Sequence, residues 1–172
     1  MLIRNPILLL LLFLATGAQA AGCDDKSTVV KYLKTIEDMN WRKMKHMLAD
    51  DAVYRDPTMV YFKRPEIGLN GKDDITGFWE DASKESGASR IGYNLKHCFE
   101  TAGFHVVLYD TLVEVRGHLW NINQENVTMP GQVMSVIRIE QGLIKEHIDY
   151  VDYAATIAFL DQLRKEAGVA PE

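Results

Sequence analysis

Three groups of residues in this chain have the types and positions needed to move a proton. Asp56 ends a short strand, Ala52 to Arg55, and is locked by Pro57. A carboxylate fixed at a strand end can sit at the mouth of a cavity, where a general base works. His147 and Asp149 are two apart, so their side chains leave one face of a strand together, although alternation alone leaves open which face is inward. Tyr32 supplies a phenol on an otherwise apolar helical stripe. Each group also has a purely structural reading: Asp before Pro is a common turn signal, Tyr32 suits a core, and His147 with Asp149 suits a surface pair. His97 lies on an apolar face and reads as a core histidine rather than a metal ligand.

Other chemistries find no support. The five histidines show no HExxH or comparable ligand spacing, no Gly-x-Ser-x-Gly is present, and no Gly-rich phosphate loop occurs. No cofactor and no metal are therefore expected, leaving proton transfer or ligand binding.

The elements that must position these groups follow from periodicity. Val29, Tyr32, Ile36 and Met39 recur at helical spacing, predicting a first helix over about 26–40. Trp41, Met44, Met47 and Leu48 predict a shorter second helix, followed by the strand that ends at Pro57. Residues 58–70, with Pro65 and Gly68, read as a loop covering a pocket. Asn70-Gly71 leads into a third helix with the stripe Ile75, Phe78, Trp79 and Ala82. After Gly87 the period becomes two, predicting antiparallel strands. Ile91, Tyr93, Leu95, His97 and Phe99 share one face of the first, with Cys98 on the other. Ala102-Gly103 and Gln141-Gly142 mark turns. The strand from Phe104 to Arg116 is apolar on both faces, which suggests helices on one side and a second subunit on the other. A last helix carries Ile157, Leu160, Leu163 and Ala167 inward. Together these elements make one α+β domain.

The chain begins like a secretory leader: Arg4, an apolar run from Ile7 to Leu14, then Ala18-Gln19-Ala20. Cleavage after Ala20 would leave 152 residues (172 minus 20) as a domain over 21–172. Losing Arg4 leaves 18 Lys and Arg against 24 acids, a net charge of about −6. Such an acidic chain without a basic stripe excludes a phosphate-tracking nucleic-acid binder. Gly22-Cys23 offers a second processing route, to residue 22, with Cys23 acylated as a membrane anchor. In the secreted case Cys23 and Cys98, the two cysteines, can pair in an oxidising compartment. Either route makes the protein exported, periplasmic or secreted.

The stretch Tyr32 to Pro57, with Ala49-Asp50-Asp51-Ala52 and Asp56-Pro57, resembles the opening of the ketosteroid isomerases, within the nuclear-transport-factor-2-like superfamily that also holds the SnoaL-like polyketide cyclases. The block Asn70 to Trp79 is similar to that family's Gly-led third helix. The resemblance implies a cone-shaped, curved antiparallel sheet packed against N-terminal helices, with a short C-terminal helix. It gives Tyr32 the role of hydrogen-bond donor to a substrate oxygen and Asp56 that of the proton-moving base. Trp79 falls where an aromatic supports the catalytic tyrosine, and Ser135 where a protonated Asp serves as second oxyanion donor. Ser135 is the weaker donor, which predicts slow or different chemistry. The resemblance turns His147, Asp149 and Val151 toward the cavity, where Asp149 and His147 return or relay the proton. Trp79, Ser135 and Val151 are then expected to line the substrate site. The implied function is cofactor-independent acid/base chemistry on a small hydrophobic carbonyl compound; the alternative is a non-catalytic binding or interaction module. Family habit adds a homodimer.

Overall fold

The computed structural model describes residues 23, 24 and 26–168; the leader and cleavage point expected from the sequence lie outside the described residues. Two short helices open the fold, α1 at Thr28–Glu37 and α2 at Trp41–Met47. Each starts at a side-chain cap that satisfies an amide with no partner in the helix: Ser27 accepts from the Val30 N–H, and Asn40 from the Lys43 N–H. The stripe Val29, Tyr32, Leu33 and Ile36 is buried against the sheet. Helix α1 is shorter at both ends than its apolar period predicts, because the Ser27 cap opens it and Met39 leaves the helical region with φ +48°.

Strand β1, Leu48–Asp56, follows directly. The segment expected as a loop is instead a 3-10 helix at Pro57–Phe62 and a strand β2 at Ile67–Asn70 that pairs antiparallel with β1. Helix α3, Lys72–Ser86, begins at Gly71 with φ +93° and ends at Gly87 with φ +65°, both left-handed positions that suit glycine. The remaining strands are β3 at Arg90–Thr101, β4 at Phe104–Arg116, β5 at Asn126–Glu140 and β6 at Leu143–Val151, before helix α4 at Tyr153–Glu166. Both predicted turns are present, with positive φ at Ala102-Gly103 and Gln141-Gly142 as tight hairpins require.

The sheet order is β2-β1-β6-β5-β4-β3. The fold is α+β as expected, but the curved sheet is mixed: β1 runs parallel to β6, while the other neighbours are antiparallel. The reason is topological. Strand β1 enters from the helical layer and meets β6 only after most of the chain has been laid down, so no hairpin dictates their direction.

A register shift between Leu95 and His97 changes the face of β3. Ile91 is inward before it, and Cys98 is inward after it, whereas His97 is exposed and stacks beside Phe99. His97 is therefore not the core histidine that simple alternation implies. The same shift presents Cys98 to Cys23, and the two form a disulfide with Cα atoms 5.5 Å apart. It fastens the segment before α1 to the sheet.

Candidate functional site

Cross-strand registry assembles the site on the helix-facing side of the sheet. Ser135 on β5 is opposite Asp149 on β6, and His147 on β6 lies between Ile137 on β5 and Tyr54 on β1. Residues directly opposite share a face, so Tyr54, His147, Asp149 and Ser135 all turn toward α1 and α3. Each is buried: Tyr54 at 3% exposure, His147 at 1%, Asp149 at 4% and Ser135 at 0%.

Asp149 is the hub. Its Oδ1 accepts from His147 Nε2 at 2.8 Å and from the Ser135 hydroxyl, and its Oδ2 accepts from the Tyr54 hydroxyl at 3.1 Å. Burial alone pushes the Asp149 carboxyl up, but His147, Ser135 and Tyr54 together outweigh it and hold the group below the ordinary aspartate value. The phenols of Tyr32, Tyr54 and Tyr109 are pushed well above their ordinary value, first by burial and then by the charge of Asp149, so they remain donors.

Proton directions follow. An ionised Asp149 only accepts, which puts a proton on His147 Nε2. The Tyr32 hydroxyl lies 3.1 Å from His147 Nδ1 and can donate to a neutral ring or accept from a charged one. Both ring nitrogens of His147 are thus engaged, Nε2 by Asp149 and Nδ1 by Tyr32. Ser135 gives its proton to Asp149, so in the 2.8 Å contact with Tyr109 the phenol is the donor.

A cavity of about 200 Å³ opens beside this network, with Tyr54, Trp79, Tyr93, Tyr109, Asp149 and Val151 in its wall. A wider depression of about 500 Å³ lies across the sheet, lined by Lys96, Leu108, Asp110, Met134 and Tyr150 among others. Its Lys96 and Asp110 pair with each other at 2.8 Å.

Of the candidate site residues read from the sequence, all but Asp56 belong to the hydrogen-bonded network or to the cavity wall. Tyr32, His147, Asp149 and Ser135 form one connected network, and Trp79, Asp149 and Val151 line the cavity. Tyr32 is fully buried, and its hydroxyl is engaged behind His147. The Trp79 ring meets Tyr54, with centroids 5.6 Å apart, and Tyr54 in turn lies 5.1 Å from His147, the ring that Tyr32 contacts. Asp56 lies apart, at 1% exposure, with both oxygens engaged. Oδ1 accepts from the Thr58 N–H and hydroxyl at 2.9 and 2.6 Å, and Oδ2 from the Tyr153 hydroxyl at 2.6 Å. Asp56 caps the 3-10 helix and ties it to the start of α4.

Tyr54 and Tyr109 were not among the residues picked out by type and spacing. Tyr54 shares its strand face with Asp56, two residues on, which was the available signal. Tyr109 sits in a strand apolar on both faces, where spacing gives no direction. One further grouping of ligand-type atoms occurs among the described residues, Cys23, Cys98 and His105 within 4.8 Å of one another. The two sulfurs are bonded to each other and are not thiolates.

A family model described as the SnoaL-like domain matches residues 29–147, well over half of the chain. The chain belongs to the SnoaL-like domain family. No curated protein matches it in sequence. Among solved structures, this SnoaL-like chain is similar to a candidate SnoaL-like polyketide cyclase from Shewanella denitrificans, at 16% identity and TM-score 0.67 over 78% of this chain and 94% of that one. It is similar to a protein of ketosteroid isomerase-like fold from Catenulispora acidiphila, solved with trimethylamine, at 12% identity and TM-score 0.61 over 77% and 91%. An LEH-like epoxide hydrolase from M. tuberculosis is similar at 13% identity and TM-score 0.60 over 82% and 92%. At these identities the likeness establishes the fold alone, and the chemistry of the SnoaL-like domain must be argued from its site.

Proposed function

We propose that this SnoaL-like domain catalyses cofactor-independent proton transfer on a small, neutral carbonyl compound, with Asp149 as the base at the cavity wall. One observation carries the reading: a buried carboxylate lines the cavity and is backed by an imidazole whose other ring nitrogen meets the Tyr32 hydroxyl. In the reaction a C–H bond beside the carbonyl breaks, its proton passes to Asp149, and the electron pair moves onto the carbonyl oxygen as an enolate. The proton then returns to carbon, at the same or a conjugated position. Asp149 and His147 act as a unit, because a carboxyl held below its ordinary value is a weak base alone.

Asp56 is not in the cavity wall, where Asp149 is, and takes a positioning role in this reading. The cavity is below the roughly 300–1,000 Å³ of ordinary ligand pockets, which favours a single ring over a fused steroid. Measuring solvent deuterium exchange into cyclohex-2-enone tests the reading. Wild type should exchange protons flanking the carbonyl above background, and Asp149→Asn should fall to background; equal rates in both would remove Asp149 from the role.

The second reading, a binding module of the same fold, is favoured by the low basicity of Asp149. It predicts a bound ligand with no exchange. Export accompanies either reading, supported by the Cys23–Cys98 disulfide, which belongs to an oxidising compartment and takes the thiol that a lipid anchor would need. A homodimer across the outer sheet face is supported by exposed Leu112, Phe99, Tyr150 and Met134.

A further inference from the structure

We infer that the Tyr93 hydroxyl is the donor that holds the ligand's carbonyl oxygen in this cavity. The inference rests on the reading that the cavity takes a small carbonyl compound. Tyr93 precedes the register shift in β3, two residues from the inward Ile91 and opposite Thr111 on β4. Its ring packs edge-on against Tyr109, with centroids 5.0 Å apart, and forms part of the cavity wall. Tyr32 cannot fill the role where it stands, since it is fully buried with its hydroxyl against His147.

Most donors of the wall are committed or closed. Tyr54 donates to Asp149, Tyr109 to Ser135, Tyr153 to Asp56, and Ser83 and Ser86 to carbonyls of α3. Trp79 Nε1 has no protein partner, but it is closed to water and so to a ligand. Two hydroxyls of the wall, Tyr93 and Thr111, have no partner among the described residues and are not sealed off in that way. Thr111 is turned aside. Its Oγ1 stands 2.6 Å from the point where a Cβ on Gly131 would lie, across to β5 and away from Tyr93 on β3. Tyr93 also borders a depression beside α1 that holds Leu33 and Glu37. After burial, the charge of Asp149 pushes the Tyr93 phenol up more than that of Glu37 does, as expected of a hydroxyl on the cavity side. A phenol pushed up keeps its proton and donates it to an acceptor. Asp149 in the same wall repels an anion, which leaves a neutral acceptor such as a ketone or enone. Tyr93 then stabilises the oxygen as it gains charge while Asp149 takes the proton from carbon.

The test uses the full folded domain, titrated with carbonyl-labelled carbon-13 cyclohex-2-enone and with cyclohexene, which lacks the oxygen. Tyr93→Phe removes the hydroxyl alone and breaks no hydrogen bond among the described residues. It should lose about fivefold in enone affinity, the size of one hydrogen bond, and keep its affinity for cyclohexene. The infrared carbonyl stretch of the bound enone should lie lower in wild type than in Tyr93→Phe. Equal enone affinity and an equal stretch in the two proteins would overturn the assignment. So would a loss of discrimination in Thr111→Val with none in Tyr93→Phe. Deuterium exchange on the same enone separates the two ideas. Exchange that Asp149→Asn abolishes and Tyr93→Phe leaves at the wild-type rate overturns the Tyr93 assignment alone. Enone affinity that depends on Tyr93, without exchange, keeps the assignment and removes the catalytic reading. An enone that wild type fails to bind up to its solubility limit removes both.

Discussion

The Tyr54 hydroxyl donates to Asp149 Oδ2 at 3.1 Å from β1, the strand that runs parallel to the one carrying Asp149. The first half of the chain thereby supplies a donor to the carboxylate of the second half, and removing it is informative. Tyr54→Phe should raise the Asp149 carboxyl toward its ordinary value, because one of three opposing contacts is lost. Carbon-13 carboxyl titration reads this directly, and an unchanged Asp149 titration would count against the bond.

Acid stability should carry the signature of Asp149. A carboxyl whose folded value lies below its unfolded value stabilises the fold above about pH 4, and this contribution fades as the pH falls below that. Unfolding in urea as a function of pH should show a steep acid limb in wild type and a flatter one in Asp149→Asn. At neutral pH the variant should be about 1–3 kcal/mol less stable, the cost of disturbing a buried hydrogen-bonded group.

Asp56 and Tyr153 should behave as one structural unit. Asp56→Ala removes an N-cap and leaves the Tyr153 hydroxyl without its acceptor, for a loss of about 1–3 kcal/mol. In a double-mutant cycle with Tyr153→Phe the losses should be non-additive. Additive losses would show that the 2.6 Å contact carries no coupling.

Reduction should be felt strongly. The Cys23–Cys98 bond closes a separation of 75 residues, worth about 4 kcal/mol in the chain-entropy picture. Cys98→Ser should lower the melting temperature, and intact mass of the purified chain should rise by about 2 Da on reduction, one hydrogen per sulfur. A diacylglyceryl mass on Cys23 would exclude the pairing.

The outer sheet face should hold two copies together. Leu112 is 55% exposed there, on a strand whose other face is core. Sedimentation should report a dimer in wild type and a monomer for Leu112→Asp, with the fold retained; a monomeric wild type would sink the idea.

Much of the architecture is local and was therefore legible. Helix stripes, the two Gly-bearing turns and the change of period near Gly87 depend on neighbours a few positions away. What escaped depends on distant segments. Strand β2 exists because Ile67–Asn70 finds an edge of β1 to pair with, which no feature of that loop announces. The bulge in β3 reversed the expected faces of His97 and Cys98, since one extra residue cancels the period of two.

The site shows the same division. From the sequence alone come the pairing of His147 with Asp149 on one strand face and the burial of the Tyr32 stripe, because strand and helix periods are properties of the local backbone. Only the tertiary structure decides that Asp149, and not Asp56, stands at the head of a hydrogen-bonded network against the cavity. Only it sets Tyr54 and Ser135 around that carboxylate. Both carboxylates are buried at strand positions facing inward; what separates them is which donors the neighbouring strands and α4 bring, and that is fixed by registry between segments nearly a hundred residues apart.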